Sequence, residues 1–252
     1  MKKNMLILSL FVTLFSFAQS NIKVLYKVNL KPHKMSEKAI SFLGKEQAKA
    51  IASRVKESIS KKNEILKDFD FILKANTNES LYYWEEQMRD ETISEADFES
   101  AKGTGAYGKY YQSKQENSSM QQYKSAMKNK WVREYKKLKD STWVITKETD
   151  TILGYMVIKA TKTITLKKSP NPMIPKTTVQ TAWFAPSLPI PFGPKGVGGL
   201  PGLVLRYGNI YASEIKFLKK TVKIKKPIKG ELLDAEKERK RRIGELDGLL
   251  SE

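Results

Sequence analysis

The sequence predicts an α+β fold, a predominantly antiparallel curved β-sheet with one long N-terminal helix packed on a face and a C-terminal helical tail. Three observations support this class. Short segments in which apolar and polar residues alternate recur from Phe69 to Leu218. One early segment, Ser36 to Lys62, instead has apolar residues at helical spacing. Short turns rich in Gly and Asn separate several alternating segments, which favours antiparallel neighbours.

The first residues are typical of a secretory signal peptide. Lys2 and Lys3 precede an apolar run, residues 5–17, that ends in small side chains. Cleavage after Ala18 fits this pattern. A membrane anchor is the alternative, but the run is short against the roughly 20 residues that span hydrocarbon. We therefore expect an exported protein, periplasmic or secreted, with residues 1–18 as signal peptide and no transmembrane segment after cleavage.

Charge and cysteine content limit the possible partners and chemistry. The chain has 46 Lys+Arg, 27 Asp+Glu and no Cys. The signal carries two of the basic residues and no acid, so the mature chain has 44 against 27, a formal net charge of +17. An exported basic protein is expected to meet anionic lipid, polysaccharide or an acidic envelope protein, and not nucleic acid. Lysines that serve only solubility are the alternative. Without Cys, disulfides, thiolate chemistry and a lipoprotein anchor are excluded.

The chain is long enough for one domain, which we place at residues 19–230, followed by a charged helical tail at 231–252. Residues 22–30 alternate as an opening strand whose lysines should face water. Ser36 can cap the following helix. Its apolar stripe should cover a sheet face and comprises Ile40, Leu43, Ile51, Val55 and Ile59. A basic amphipathic helix lying on a membrane is the alternative.

The middle of the chain predicts two hairpins. Residues 69–74 and 80–86 flank an Asn-Thr-Asn turn, which gives the clearest of them. Residues 89–102 are acidic and irregular, which indicates a loop with a helical turn. A second hairpin should begin at Trp143 and turn at residues 147–151, so that the next strand presents one apolar face of Met156, Ile158, Ala160, Ile164 and Leu166.

A glycine- and proline-rich stretch late in the chain predicts a shaped turn that feeds a buried strand. Its backbone is set by Gly198, Gly199, Pro201 and Gly202, and the glycines can adopt positive φ or approach other backbone closely. Residues 203–207 then alternate as a strand, and Gly208-Asn209 should turn it into a hairpin with residues 211–218.

The same residues resemble the signature of the GLPGLI family. Residues 199–203 read Gly-Leu-Pro-Gly-Leu, and Val204 replaces the final Ile. The resemblance is most specific from Trp143 to Tyr207. It implies an exported protein of Gram-negative bacteria, mainly Bacteroidota, and no established activity. Many family members have Cys where this chain has Val157, so any thiol-dependent role of relatives is closed to it.

One apolar surface is the candidate ligand or partner site. It comprises Trp183, Phe184, Phe192, Leu200 and Pro201, which accompany the signature turn. A rigid apolar surface of this kind could bind with little ordering cost. The alternative is a loop that only seals the end of the sheet.

The residue inventory restricts catalysis. His33 is the only histidine, so a structural zinc site, a Cys–His pair and a Ser–His–Asp triad are excluded, and we assign no catalytic residue, metal or cofactor. We therefore expect an envelope protein that binds an anionic or hydrophobic ligand or partner without catalysis. The alternative is an envelope hydrolase with carboxylate or Ser–Lys chemistry. The oligomeric state is not indicated.

Overall fold

Twelve strands form a single sheet in the computed structural model of the chain. The structure describes residues 21–32, 37–125, 129–137, 142–165, 177–220, 222–238 and 241. The signal peptide, His33, the Ser36 cap, Leu166 and most of the C-terminal tail lie outside these residues. The strands are β1 (Asn21–Val28), β2 (Phe71–Ala75), β3 (Glu79–Trp84), β4 (Lys109–Ser113), β5 (Ser118–Ser125), β6 (Lys130–Lys137), β7 (Val144–Ile152), β8 (Tyr155–Thr165), β9 (Thr177–Ala185), β10 (Leu203–Tyr207), β11 (Ile210–Leu218) and β12 (Glu231–Asp234).

The sheet is mixed, so the prediction of a simple antiparallel curved sheet is wrong. The strand order is β12-β6-β5-β4-β3-β2-β1-β11-β10-β9-β8-β7, and β12 runs parallel to β6. The remaining pairs are antiparallel. The parallel pair arises because the chain reaches β12 by crossing the sheet from β11 and not through a hairpin.

The predicted helices are also wrong. Two helices, α1 (Glu37–Leu43) and α2 (Lys45–Lys67), replace the single helix from Ser36 to Lys62. Gly44 separates them because its φ of 79° is incompatible with a right-handed helix. The predicted apolar stripe does not cover a face of the sheet either, since Ile51 and Val55 are exposed. The helix instead packs through its C-terminal end, where Ile65 and Leu66 are buried.

The C-terminal tail begins as a strand and not as a helix. Gly230, with a φ of 102°, lies so close to Trp131 that an added Cβ would be 2.4 Å from its carbonyl oxygen. Arg133 Nε donates to the Gly230 carbonyl at 3.0 Å. These contacts place the following residues along β6, where pairing with an open edge outweighs local helix propensity. A third helix, α3 (Glu95–Gly105), extends over the second half of the segment predicted as a loop with a helical turn, residues 89–102.

Three predicted connections can be compared with the structure. The hairpin β2–β3, around residues 76–78, and the hairpin β10–β11, around Gly208-Asn209, are confirmed. The loop predicted at residues 147–151 is wrong, because β7 continues through it with an irregular register. The turn lies at Leu153 and Gly154, both with positive φ, as a tight hairpin requires.

The main core lies between the sheet and the helices α2 and α3. It includes Tyr26, Leu66, Phe71 and Phe98, all less than a tenth exposed. A second core cluster contains Phe184, Leu200 and Val204 beside the signature turn. A third lies on another part of the sheet and joins Tyr111 and Met120 to Ile224. No helix among the described residues is both long and apolar enough to cross a bilayer.

The signature turn leads directly into β10, as predicted, and the two reasons expected for its glycines apply at different positions. Gly199 has a positive φ of 80°, whereas Gly202 does not belong to the positive-φ glycines. A Cβ on Gly202 would instead be 2.2 Å from the Ala185 carbonyl oxygen on β9. Close approach of two backbones, and not a left-handed conformation, therefore requires glycine here.

We expect Gly202→Ala to destabilise the fold by about 3 kcal/mol, because rigid backbone on β9 cannot move aside for the new methyl group. Chemical denaturation of the mature chain measures this loss. Gly103→Ala is the matched control, since its Cβ would meet only ordinary contact at 3.8 Å inside α3. The control should be neutral or slightly stabilising. Equal stability of the Gly202→Ala variant and wild type would contradict the close approach.

Candidate anion-binding face

The five residues of the predicted apolar surface are not presented together at the surface. Phe184, Phe192 and Leu200 are 1%, 2% and 2% exposed. Phe184 and Leu200 share the second core cluster, whereas Phe192 belongs to the main core. Trp183 is half-buried, and the Arg206 guanidinium lies over its ring, 4.6 Å from the ring centroid. Of the five residues, only Pro201 is exposed. These side chains pack the sheet, and their role in ligand binding stays a prediction.

The backbone of the signature region is held by three side chains from distant parts of the chain. Tyr26 Oη donates to the Val204 carbonyl at 2.6 Å, Gln112 Nε2 to Gly196 at 3.0 Å and Trp143 Nε1 to Gly198 at 3.2 Å. Burial raises the pKa of the Tyr26 hydroxyl, so it remains a donor. The turn therefore ties β1 and β4 to the segment that enters β7.

A row of three lysines crosses neighbouring strands on the outer face of the sheet. Lys23 on β1 pairs directly with Lys216 on β11 and with Lys74 on β2. Directly paired residues lie on the same face, and adjacent strands are about 4.8 Å apart. We call Lys216, Lys23 and Lys74 the lysine ladder. Like charges in direct register repel each other, which an anion on this face would relieve.

Acidic side chains lie near two of the three ladder lysines. Lys23 Nζ is 3.7 Å from Glu85, and Lys216 Nζ is 3.1 Å from Glu214. Lys74 lies over the Tyr83 ring, 5.8 Å from its centroid. These ion pairs are solvent-exposed and individually weak, so the ladder keeps its positive character.

A second basic segment covers the continuation of the same row. Lys74 pairs with Leu81, and the row then passes through Tyr111, Met120 and Tyr135 on β4 to β6. Residues 222–230 pack on these apolar side chains through Ile224. We call this segment the lysine strap, because it carries Lys223, Lys225, Lys226 and Lys229 and no acidic residue.

The strap is fixed to the sheet by polar and aromatic contacts. Gln122 Nε2 donates to the Lys229 carbonyl at 2.8 Å, and Lys229 Nζ lies 4.5 Å from the Trp131 ring centroid. Lys226 pairs with Glu116 at 2.6 Å, and this hydrogen bond lowers the pKa of the Glu116 carboxyl. Lys223 and Lys225 are exposed. The ladder and strap together form one basic face.

One cleft among the described residues is a weaker candidate for an anion site. It has a volume of about 360 Å³ and lies between α2 and α3. Lys61 and Asp97 in its wall are 2.9 Å apart, and their hydrogen bond raises the pKa of Lys61 and lowers that of Asp97. The lysine of this cleft is therefore already paired with a carboxylate of the same wall. Within the described ranges, no group of three or more His, Cys, Asp or Glu side chains could hold a metal ion.

Sequence reasoning missed the ladder. Alternation in β1 correctly indicates that Lys23 faces water, but Lys74 and Lys216 are far from it in sequence. Only the register of β11, β1 and β2 brings the three together. A count of lysines across the predicted outward positions of all strands would have been the available signal.

Comparison with known proteins adds a family of unknown function. The family described as "Protein of unknown function (Porph_ging)" matches residues 165–206, which include the signature turn. No curated protein matches. The GLPGLI resemblance and its bacterial distribution stay expectations.

Two solved structures are similar over most of the chain. They are titled "Structure of PNGF-II in P21 space group" and "Structure of PNGF-II in C2 space group", with 16% and 17% identity and TM-scores of 0.48 and 0.47. Each match covers 88% of this chain but only 32% of the other, so this chain spans about a third of their length.

We expect Tyr26→Phe to lower the free energy of unfolding by about 2 kcal/mol, because the buried Val204 carbonyl loses its side-chain donor. Urea denaturation measures the change. Tyr83→Phe, at a partly exposed tyrosine on β3, is the control and should change stability little. Similar losses in the two variants would show that the Tyr26 hydrogen bond has no special role.

Proposed function

We propose that this chain is an exported, non-enzymatic envelope protein that binds an acidic polysaccharide on its basic face. The observation that carries the proposal is the direct register of Lys216, Lys23 and Lys74. The strands that carry these lysines are about 4.8 Å apart, so the three side chains start from neighbouring points across the sheet. A linear polyuronate carries one carboxylate per sugar unit, so successive carboxylates can meet successive rungs.

The strap extends this surface beyond the ladder. It packs over β4 to β6, and a single strand, β3, separates these from the strands that carry the ladder. A polymer crossing the strands can therefore contact both elements. Such binding depends on several exposed charge pairs, each weak, and is expected to fall as salt rises.

A lipid surface fits this face less well. Membrane-surface segments usually bury several large apolar side chains beside their basic residues. Phe217 is 54% exposed, but it follows Lys216 on β11 and so points to the opposite face. On the strap only Ile228 is a large exposed apolar residue. The hydrolase alternative is not favoured by any arrangement of the described carboxylates.

The proposal is tested by titrating the mature chain, from Gln19 onward, with polygalacturonate at several salt concentrations. In the ladder variant, Lys23, Lys74 and Lys216 are each changed to Gln. In the control variant, the exposed Lys45, Lys49 and Lys56 of α2 are changed to Gln, which alters net charge equally. The ladder variant should bind about tenfold more weakly, whereas the control should bind like wild type.

Three results would contradict the proposal. Equal weakening of both variants would show attraction to net charge alone. Absence of binding by wild type at low salt would exclude an acidic polysaccharide as the ligand of the basic face. Preferential binding to vesicles that contain anionic phospholipid, with the same loss in the ladder variant, would assign the face to a membrane instead.

A further inference from the structure

A row of polar side chains crosses the opposite, inner face of the same strands. Ser80, Gln112, Ser119 and Lys136 pair in sequence across β3 to β6. The first three are 1%, 0% and 5% exposed. A buried row of this composition is unusual beside an apolar core, since polar groups are normally buried only with partners.

The other half of the sheet contributes a second lysine. Lys162 on β8 lies over the Trp143 ring, 6.0 Å from the ring centroid. Trp143 Nε1 donates a hydrogen bond to the Gly198 carbonyl. Lys136 and Lys162 are far apart in the strand order. Nearby protein groups partly desolvate the Lys136 ammonium and lower its pKa, and the charge of Lys162 lowers it further. Gly198 also lies against the Gln112 side chain, and Gln112 leads across β5 to Lys136 through directly paired residues. These contacts and pairs place Lys162 and Lys136 in the same part of the inner face.

These groups are open to a ligand. Lys136 is solvent-exposed and Lys162 half-buried, so protein surrounds the two ammonium groups without enclosing them. Glu134, two residues earlier on the same face of β6, accepts a hydrogen bond from the Tyr123 hydroxyl. Neither lysine is within ion-pair distance of an acidic group in the part of the chain that the structure describes.

Gln112 provides a separate indication of a ligand. Its Nε2 donates to the Gly196 carbonyl, which fixes the orientation of the amide. Its Oε1 is buried and has no hydrogen-bond partner among the described residues. A buried acceptor without a donor costs free energy, and a ligand hydroxyl could supply the donor.

We propose that Lys136 and Lys162, together with Gln112 and Trp143, form a binding site for the carboxylate or phosphate group of a small acidic sugar. The oxyanion lies between the two ammonium groups and forms charge-assisted hydrogen bonds with them. A sugar hydroxyl donates to Gln112 Oε1, and the indole face of Trp143 borders the ring. The site lies on the face opposite the lysine ladder and does not depend on the ladder's function.

The test is calorimetric titration of the mature chain with glucuronate, inorganic phosphate and glucose. Wild type should bind one or both anions and bind glucose much more weakly. Lys136→Met and Lys162→Met should each weaken anion binding by about tenfold or more. Lys137→Met is the matched control, because Lys137 is the next residue of β6 and points to the opposite face. It should bind like wild type.

Thermal unfolding without ligand provides a second readout. Lys136→Met should unfold at a higher temperature than wild type at neutral pH, because it removes a charge that the folded state disfavours. If Lys136 served only to stabilise the fold, its replacement would lower the unfolding temperature. If Lys136→Met does not fold, Lys162→Met still tests binding.

Preference between the anions identifies the ligand's acidic group. Three results would overturn the proposed site. Wild type could bind glucose as tightly as the anions, or bind neither anion. The Lys137→Met control could lose as much anion affinity as Lys136→Met. The ladder variant, titrated in parallel, should keep its affinity for the small anions. Failure of the polysaccharide proposal would therefore not affect this result.

Discussion

The structure depends on the way the signature backbone is held by hydrogen bonds from distant strands. Tyr26, Gln112 and Trp143 each donate to a carbonyl between Gly196 and Val204. Gly202 lets β10 approach β9 at this point, since a Cβ would clash with the Ala185 carbonyl. These contacts connect the two halves of a sheet whose ends are otherwise many strands apart.

Both basic regions follow from that arrangement. On the outer face, the central position of β1 between β2 and β11 sets three lysines side by side. On the inner face, contacts through Trp143, Gly198 and Gln112 connect Lys162 to the row that contains Lys136, although β8 and β6 lie in opposite halves. Like charges near each other cost stability, and a bound anion offsets that cost. The same basic composition thus supports two separate proposals on opposite faces.

Long-range contacts also explain where sequence-based expectations failed. Residues 36–62 have helical periodicity, but Gly44 divides the segment, and Ile51 and Val55 of the predicted stripe are exposed. The tail has helical composition, yet the open edge of β6 makes its start a strand. Phe184, Phe192 and Leu200 are apolar residues in a loop-rich region, and their burial depends on strands that local sequence does not specify.

The sequence by itself determined the alternation of β1, two hairpin turns and the turn that leads into β10, because these depend on local conformation. It also determined which catalytic residue types are excluded, because that depends only on which amino acids the chain contains. Only the tertiary structure decided the parallel β12, the break in the helix and the positions of the lysines. Strand register over long separations is set by packing, and a one-residue shift of β11, β1 or β2 would move the ladder lysine of that strand to the other face.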